Sequence, residues 1–209
     1  ILTGSGDSFC SGTDLNQLKE AADSKNALEI WHRDSLEFLE LIEKMLRFPK
    51  PIIASVNGWV LGSGVALMLA SDIVVGGTSS RLCMPEALRG LNPGITTPLM
   101  SFRIGTAASS KVLYTGVRIA AEEALQLGLY QEVVGDSLVW ARCFEIAGAC
   151  AAGARESHQM TKQLLNETIG ENLFTQLSIG AANMAAARTT PAATEGIEAF
   201  LEKRDPRWD

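Results

Sequence analysis

Residues 52 to 75 constrain the fold more than any other stretch, because they set out strand, tight turn, helix and strand in unbroken succession. Ile52 to Val56 is a short apolar run suited to burial, Asn57-Gly58 is a turn dipeptide, and Gly62-Ser63-Gly64 opens an apolar helix through Ala70. Asp72-Ile73-Val74-Val75 is the next strand. That order is the signature of a right-handed crossover in a parallel sheet, so the fold class is α/β.

The flanking segments extend this pattern. After Gly4-Ser5-Gly6, Asp14 is placed to N-cap a helix through Lys19. Residues 28 to 48 carry Leu36, Leu39, Leu41, Ile42, Met45 and Leu46 at helical spacing, and Pro49 and Pro51 stop them. Ser79 to Met84 reads as a third short strand leading into Pro85-Glu86. The loop after it contains Gly90, Pro93 and Gly94, and loops of this kind line sites rather than fill cores. Helical patterns cover 98 to 114, 120 to 127 and nearly all of 137 to 203. A boundary near Asp136 therefore divides a spiral α/β core, residues 1–136, from a C-terminal helical region, residues 137–209. The apolar content of that region, with Leu138, Trp140, Phe144, Leu164, Leu173, Phe174 and Leu177, exceeds what a lone appendage keeps in water, which predicts subunit contacts.

Composition narrows the function classes. With 209 residues and 46% hydrophobic content the chain can bury a sizeable core, and a net charge of −6 argues against a broad nucleic-acid footprint. No stretch reaches the roughly 18 consecutive apolar residues of a membrane span. Cys10, Cys83, Cys143 and Cys150 have no CxxC spacing and read as reduced, packed thiols, which favours cytoplasm or a mitochondrial or peroxisomal matrix. Cys143 and Cys150 fall on one helix face. Ile1-Leu2-Thr3 reads as the tail of a strand paired in a sheet interior. The expectation is a chain lacking its first segment, with targeting unreadable.

Two backbone turns carry candidate chemistry: Phe9-Cys10-Ser11-Gly12-Thr13-Asp14-Leu15 and Gly58-Trp59-Val60-Leu61-Gly62-Ser63-Gly64. Each places small residues where a strand gives way to a helix, so exposed N–H groups at a positive helix terminus can face a shared anion. Glycines also serve tight turns and nothing more, but the two turns in series, followed by Pro85-Glu86 and Pro93-Gly94, form a specific constellation. Gly62-Ser63-Gly64 lacks both the third glycine of a dinucleotide fingerprint and the lysine of a P-loop. Glu86 is expected to project from a strand end into the space between the turns, desolvated by Trp59, Val65 and Leu91 and so raised in pKa.

These motifs together resemble the crotonase (enoyl-CoA hydratase/isomerase) superfamily. Phe9 to Leu15 resembles its first oxyanion turn, Lys50 to Gly58 with Gly62-Ser63-Gly64 its second, and Pro85 to Gly94 its catalytic loop. Thr115-Gly116 through Ala121, Glu123-Ala124, Gly128-Leu129 and the terminal Phe200-Leu201-Glu202-Lys203-Arg204 are similar to its later blocks. The resemblance covers essentially all 209 residues. It implies a ββα spiral core and a site for an acyl-CoA thioester. The backbone N–H groups of Ser11 and Ser63 would be the oxyanion donors, and Glu86 the acid–base group. Gly12, Asp14, Gly62, Gly64, Trp59 and Leu91 would contact substrate, with Gly12 and Asp14 near the adenine. Phe200 and Lys203 would reach a neighbouring subunit's CoA in a homotrimer or dimer of trimers. It implies no metal and no covalently bound cofactor, coenzyme A being part of the substrate.

One position departs from the family pattern. Hydratases of this superfamily resemble one another in having two glutamates, and Ala66 occupies the first of those positions here. A single carboxylate suffices to shuttle a proton between two carbons of an enolate, so isomerase-type chemistry is expected. A hydratase, or a carrier-protein-linked dehydratase or decarboxylase, is the alternative within the family. Two readings from other classes are a Clp-like serine hydrolase using Ser63, which lacks a well-placed histidine, and a non-catalytic CoA-binding scaffold. His32 and His158 read as surface or packing residues.

Overall fold

The structure, a computed structural model, describes residues 1–168 and 172–208; residues 169–171 and 209 of the expected C-terminal region lie outside the described residues. Strands β1 (Leu2–Thr3), β3 (Ile53–Val56), β5 (Ile73–Gly77) and β8 (Glu132–Val134) form one four-stranded sheet in that order, with every pairing parallel. The second sheet has the order β2 (Ser8–Cys10), β4 (Trp59–Leu61), β6 (Arg81–Cys83) and β7 (Ile119–Ala120), antiparallel only at β6–β7. The chain lays one strand in each sheet and then a helix: β3, β4 and α3 (Ser63–Leu69), then β5, β6 and α4 (Thr96–Thr115). This is the expected ββα spiral, and the crossover from β3 to β5 brings Ile53 opposite Ile73.

All four residues of β3 are buried, so the strand shows no alternation of apolar and polar positions, as a parallel sheet covered on both faces requires. Helices α1 (Leu15–Ala22) and α2 (Ala27–Arg47) lie between β2 and β3 in sequence. The buried face of α2 is Trp31, Ser35, Leu39, Ile42, Met45 and Leu46, whereas Leu36 and Leu41 lie on its outer face. Ile42, Val60, Met68, Leu82, Met84 and Leu99 are completely enclosed in the main core. Each such aliphatic side chain contributes about 1.5–3 kcal/mol relative to exposure.

Three expectations are corrected. Ile1 to Thr3 pair with β3 as expected, but β1 is the end strand of its sheet among the described residues, not an interior one, and Ile1 is exposed. β7 and β8 are strands that the sequence did not announce, and β2 and β4 figured there only as the strands that lead into the two turns. Helix α4 is broken in the middle, where Gly105 takes φ 75° and ψ 161°.

The C-terminal region divides into α6 (Val139–Ala151), α7 (Arg155–Gln163) continued by a π-helical turn at Leu164–Thr168, α8 (Leu173–Ala187) and α9 (Pro191–Leu201), with α5 (Ala121–Gln126) preceding β8. It is packed into the molecule rather than appended. Cys143 of α6 sits with Ile53 and Val75 of the first sheet, and α8 lies against α2 and α4. Lys162 of α7, nearly buried, reaches Asp72 Oδ2 at 2.7 Å, and the same oxygen accepts from the Ile52 N–H at 2.7 Å. Of the seven apolar residues expected at subunit contacts, Leu173 and Leu177 are buried inside the chain, whereas Leu138, Trp140, Phe144 and Leu164 are exposed. No helix among the described residues is long and apolar enough to cross a membrane.

Candidate active site

Three strands of the second sheet, β2, β4 and β6, end at the wall of a cavity of about 410 Å³. The segment after β2 contributes Ser11, Gly12, Thr13 and Asp14, the end of β4 contributes Leu61, Gly62 and Ser63, and the segment after β6 contributes Pro85 and Glu86. The first two turns are pressed together. A Cβ on Gly12, which has φ 86°, would stand 2.8 Å from the Leu61 carbonyl oxygen and 3.6 Å from the Ser63 nitrogen. The Thr13 and Ser63 hydroxyls share a hydrogen bond of 3.1 Å. Ser63 is the first residue of α3, so its N–H belongs to the positive end of that helix. Asp14 caps α1, its carboxylate accepting from the Asn16 N–H at 2.9 Å.

Glu86 closes the third side. Its carbonyl accepts from the N–H groups of Arg89 and Leu91, both at 2.9 Å, which winds the segment into a tight 3-10 turn over Ala87–Arg89. The carboxylate is thereby carried over Gly62, where a Cβ would meet Glu86 Oε1 at 2.9 Å. Gly62 also takes φ 53° and ψ −122°, so both its conformation and the space above it require glycine. Glu86 Oε2 is shielded from solvent with no hydrogen-bond partner. Burial pushes this carboxyl up to about 7, against the opposing pull of its own backbone N–H and of the Arg89 guanidinium.

The loop that carries Glu86 is fastened to the C-terminal helices by backbone contacts. A Cβ on Gly90 would collide with the Ala192 carbonyl of α9, one on Gly196 with the Arg89 carbonyl, and one on Gly94 with the Gly180 carbonyl of α8. Phe200 of α9 lines the cavity and lies under the Arg89 guanidinium, 4.4 Å from its ring centroid.

Of the residues singled out in the sequence, Ser11, Gly12, Asp14, Gly62, Ser63, Glu86, Leu91 and Phe200 converge on the cavity. Trp59, Gly64 and Lys203 do not line it. Trp59 begins β4, two residues upstream of the strand end that opens on the cavity, and its ring carries the Arg118 guanidinium at 5.6 Å. Gly64 packs against Cys10, leaving no room for a side chain. Lys203 lies beyond α9, exposed, in a left-handed conformation with φ 57°. Val65 is fully buried in the main core and does not line the cavity, and Ala66 is likewise fully buried there.

Neither histidine lines the cavity: His32 is exposed on α2, and His158 bonds the Cys150 carbonyl oxygen at 2.8 Å. No cluster among the described residues has the His, Cys, Asp and Glu set of a metal site. Sequence reasoning missed Arg89 and Arg188 as cavity residues, each with a buried nitrogen that has no partner: Nε of Arg89 and Nη1 of Arg188. For Arg89 the spacing of three from Glu86 within one turn was a usable signal. For Arg188 the signal was a lone cation directly after Ala185-Ala186-Ala187.

Comparison with known proteins places the chain by family and fold. The enoyl-CoA hydratase/isomerase family profile matches residues 1–209. The chain is 32% identical over 215 residues to the 2,3-dehydroadipyl-CoA hydratase of Escherichia coli (strain K12), covering 99% of this chain and 78% of that protein. It is 29% identical over 209 residues to the 1,2-epoxyphenylacetyl-CoA isomerase of the same organism, covering 100% of this chain and 79% of that one. The crystal structure of an enoyl-CoA hydratase from Mycobacterium avium matches with a TM-score of 0.85 at 25% identity, over 98% of this chain and 76% of that chain. A spiral of strand pairs, two turns meeting under one buried glutamate and a family profile matched over residues 1–209 lead to one assignment: the chain is an enzyme of the enoyl-CoA hydratase/isomerase family, within the crotonase superfamily.

Proposed function

We propose that the chain binds an acyl-CoA thioester with its carbonyl oxygen between the backbone N–H groups of Ser11 and Ser63, and that Glu86 moves a proton on and off the resulting enolate. The observation that carries this reading is the Glu86 carboxyl itself, raised to about 7 and held over the Gly62-Ser63 turn with Oε2 unpartnered. A carboxyl with that value changes protonation state easily near neutral pH, as an acid–base catalyst must. Removal of an α-proton places negative charge on the thioester oxygen, and one preorganised donor there is typically worth about 10²–10³ in rate. The adenine end of CoA would lie near Gly12 and Asp14.

Ala66 supports isomerisation over water addition. It occupies the place of the family's other glutamate, and its methyl group is enclosed in the core. Glu86 then stands over the Gly62-Ser63 turn without the family's second glutamate, and one carboxylate is enough to carry a proton from one carbon of the acyl chain to another. Water addition is the second reading, favoured by the hydratase activity named for the 2,3-dehydroadipyl-CoA relative. A subunit assembly through residues 137–209, a trimer or dimer of trimers, accompanies the proposal.

The test is proton exchange of a bound acyl-CoA in deuterium oxide, followed by NMR. Glu86→Gln keeps the shape and removes the base. It should lower α- or γ-exchange by about 10²–10⁴ while leaving CoA affinity almost unchanged. Undiminished exchange in the variant would place the base elsewhere. Mass spectrometry of products from 2-enoyl- and 3-enoyl-CoA separates the two readings, because a hydrate is heavier than its substrate by one water and an isomer is not.

A further inference from the structure

We infer that the acyl end of this cavity is built for an anionic tail: the thioester it takes carries a second, terminal carboxylate, held by Arg188. The inference rests on the acyl-CoA reading above and names the substrate class within it.

Arg188 stands at the C-terminal end of α8, is only 8% exposed, and lines the cavity with its Nη1 lacking any partner. The same cavity wall carries Met184, one turn earlier on α8, and Phe38 of α2. Burial works against its charge, and the one carboxylate that acts in its favour, Asp34, is exposed on α2 and forms no ion pair with it. A guanidinium stays protonated even so, and a buried charge without a counterion is among the costlier features a fold can keep. A pocket for a plain alkyl chain has no use for it. A carboxylate arriving on the substrate would accept from the free N–H groups in the paired geometry that guanidinium and carboxylate share.

The rest of the cavity is consistent with this division. The electrostatic neighbour of Glu86 is Arg89, and that of Arg188 is Asp34, so the acid–base end and the Arg188 end do not neutralise each other. Arg89 is stacked on Phe200 and acts on Glu86, whereas Arg188, the other arginine that lines the cavity among the described residues, has no such contact. The phosphates of CoA are the other source of anionic oxygen. They are multiply charged and strongly hydrated, and the nearly buried position of Arg188, in a cavity that Met184 and Phe38 also line, suits a single carboxylate better.

Calorimetric binding of saturated thioesters tests this without turnover, using adipoyl-CoA against hexanoyl-CoA and glutaryl-CoA against pentanoyl-CoA. The wild-type chain should bind each acid at least about tenfold tighter than its neutral partner. Arg188→Met should erase that preference while leaving hexanoyl-CoA affinity within about threefold, and should not lower the melting temperature of the free protein, since it removes an unpaired buried charge. Arg188→Lys, which keeps the charge and loses the fork, should retain a reduced preference and serves if the Met variant fails to fold. Equal or weaker binding of the acids by the wild-type chain overturns the inference. So does an equal loss for acid and neutral thioesters in Arg188→Met, which would assign the arginine to a CoA phosphate. If neutral thioesters bind and exchange protons without any preference for acids, this inference alone falls. If no thioester binds, it falls together with the function proposed above.

Discussion

Glu86, the acid–base group of the function proposed above, also ties stability to one proton. Its carboxyl rises from an ordinary 4.5 to about 7 on folding, chiefly by burial, so between those values the folded chain keeps a proton that the unfolded chain releases. The stability that goes with the neutral carboxyl is complete below about pH 4.5 and is lost as pH rises through about 7. Glu86→Gln has no proton to lose. Its melting temperature relative to wild type should therefore climb between pH 5 and pH 8, at roughly 2–4 °C for each kcal/mol of relief in a chain of this size. A margin that stays constant across that range would show that Glu86 is already ionised in the fold. With Glu86 as the proposed base, turnover should rise with pH through about 7.

At the scale of elements, the sequence disclosed what is local. The cap of α1 could be read from Asp14 and the periodicity of α2 from Leu39, Ile42 and Leu46, and the turn glycines marked the start of α3. The short strands β4, β7 and β8 span only two or three residues, too few for a period of two to emerge. The site divides in the same way. Ser11, Ser63 and Glu86 lie within motifs that a linear reading can find, whereas Arg188 comes from α8 and reaches the cavity only through tertiary packing. The Lys162–Asp72 pair is equally non-local, joining α7 to the start of β5. Removing one partner strands a nearly buried charge, so Asp72→Asn should cost about 3 kcal/mol in urea unfolding. The double change Asp72→Asn with Lys162→Met should recover most of it. Losses that simply add would show that the pair is not coupled.

For the whole molecule, the outer face of α6 still presents Trp140 and Phe144, 54% and 68% exposed, one turn apart beside the exposed Leu138. An exposed apolar strip of that kind is what the proposed subunit contact would cover. Sedimentation at micromolar concentration should give a trimer or dimer of trimers, and Trp140→Glu combined with Phe144→Glu should reduce it to monomers without unfolding. A monomeric wild-type chain would remove the case for assembly through this face.

The glycine contacts between the Glu86 loop and helices α8 and α9 have a consequence for motion. Gly90 against Ala192, Gly196 against Arg89 and Gly94 against Gly180 are main-chain abutments with no flexible side chain between them to give way. The loop and the two helices should therefore open as one cooperative unit. In native-state hydrogen exchange, amides of residues 87 to 92 should share the opening free energy of the α8 and α9 amides and respond to denaturant with the same slope. Faster, independent exchange of the loop would show that the contacts do not bind it. Joined in this way, the Glu86 carboxylate keeps its place for as long as α8 and α9 stay docked.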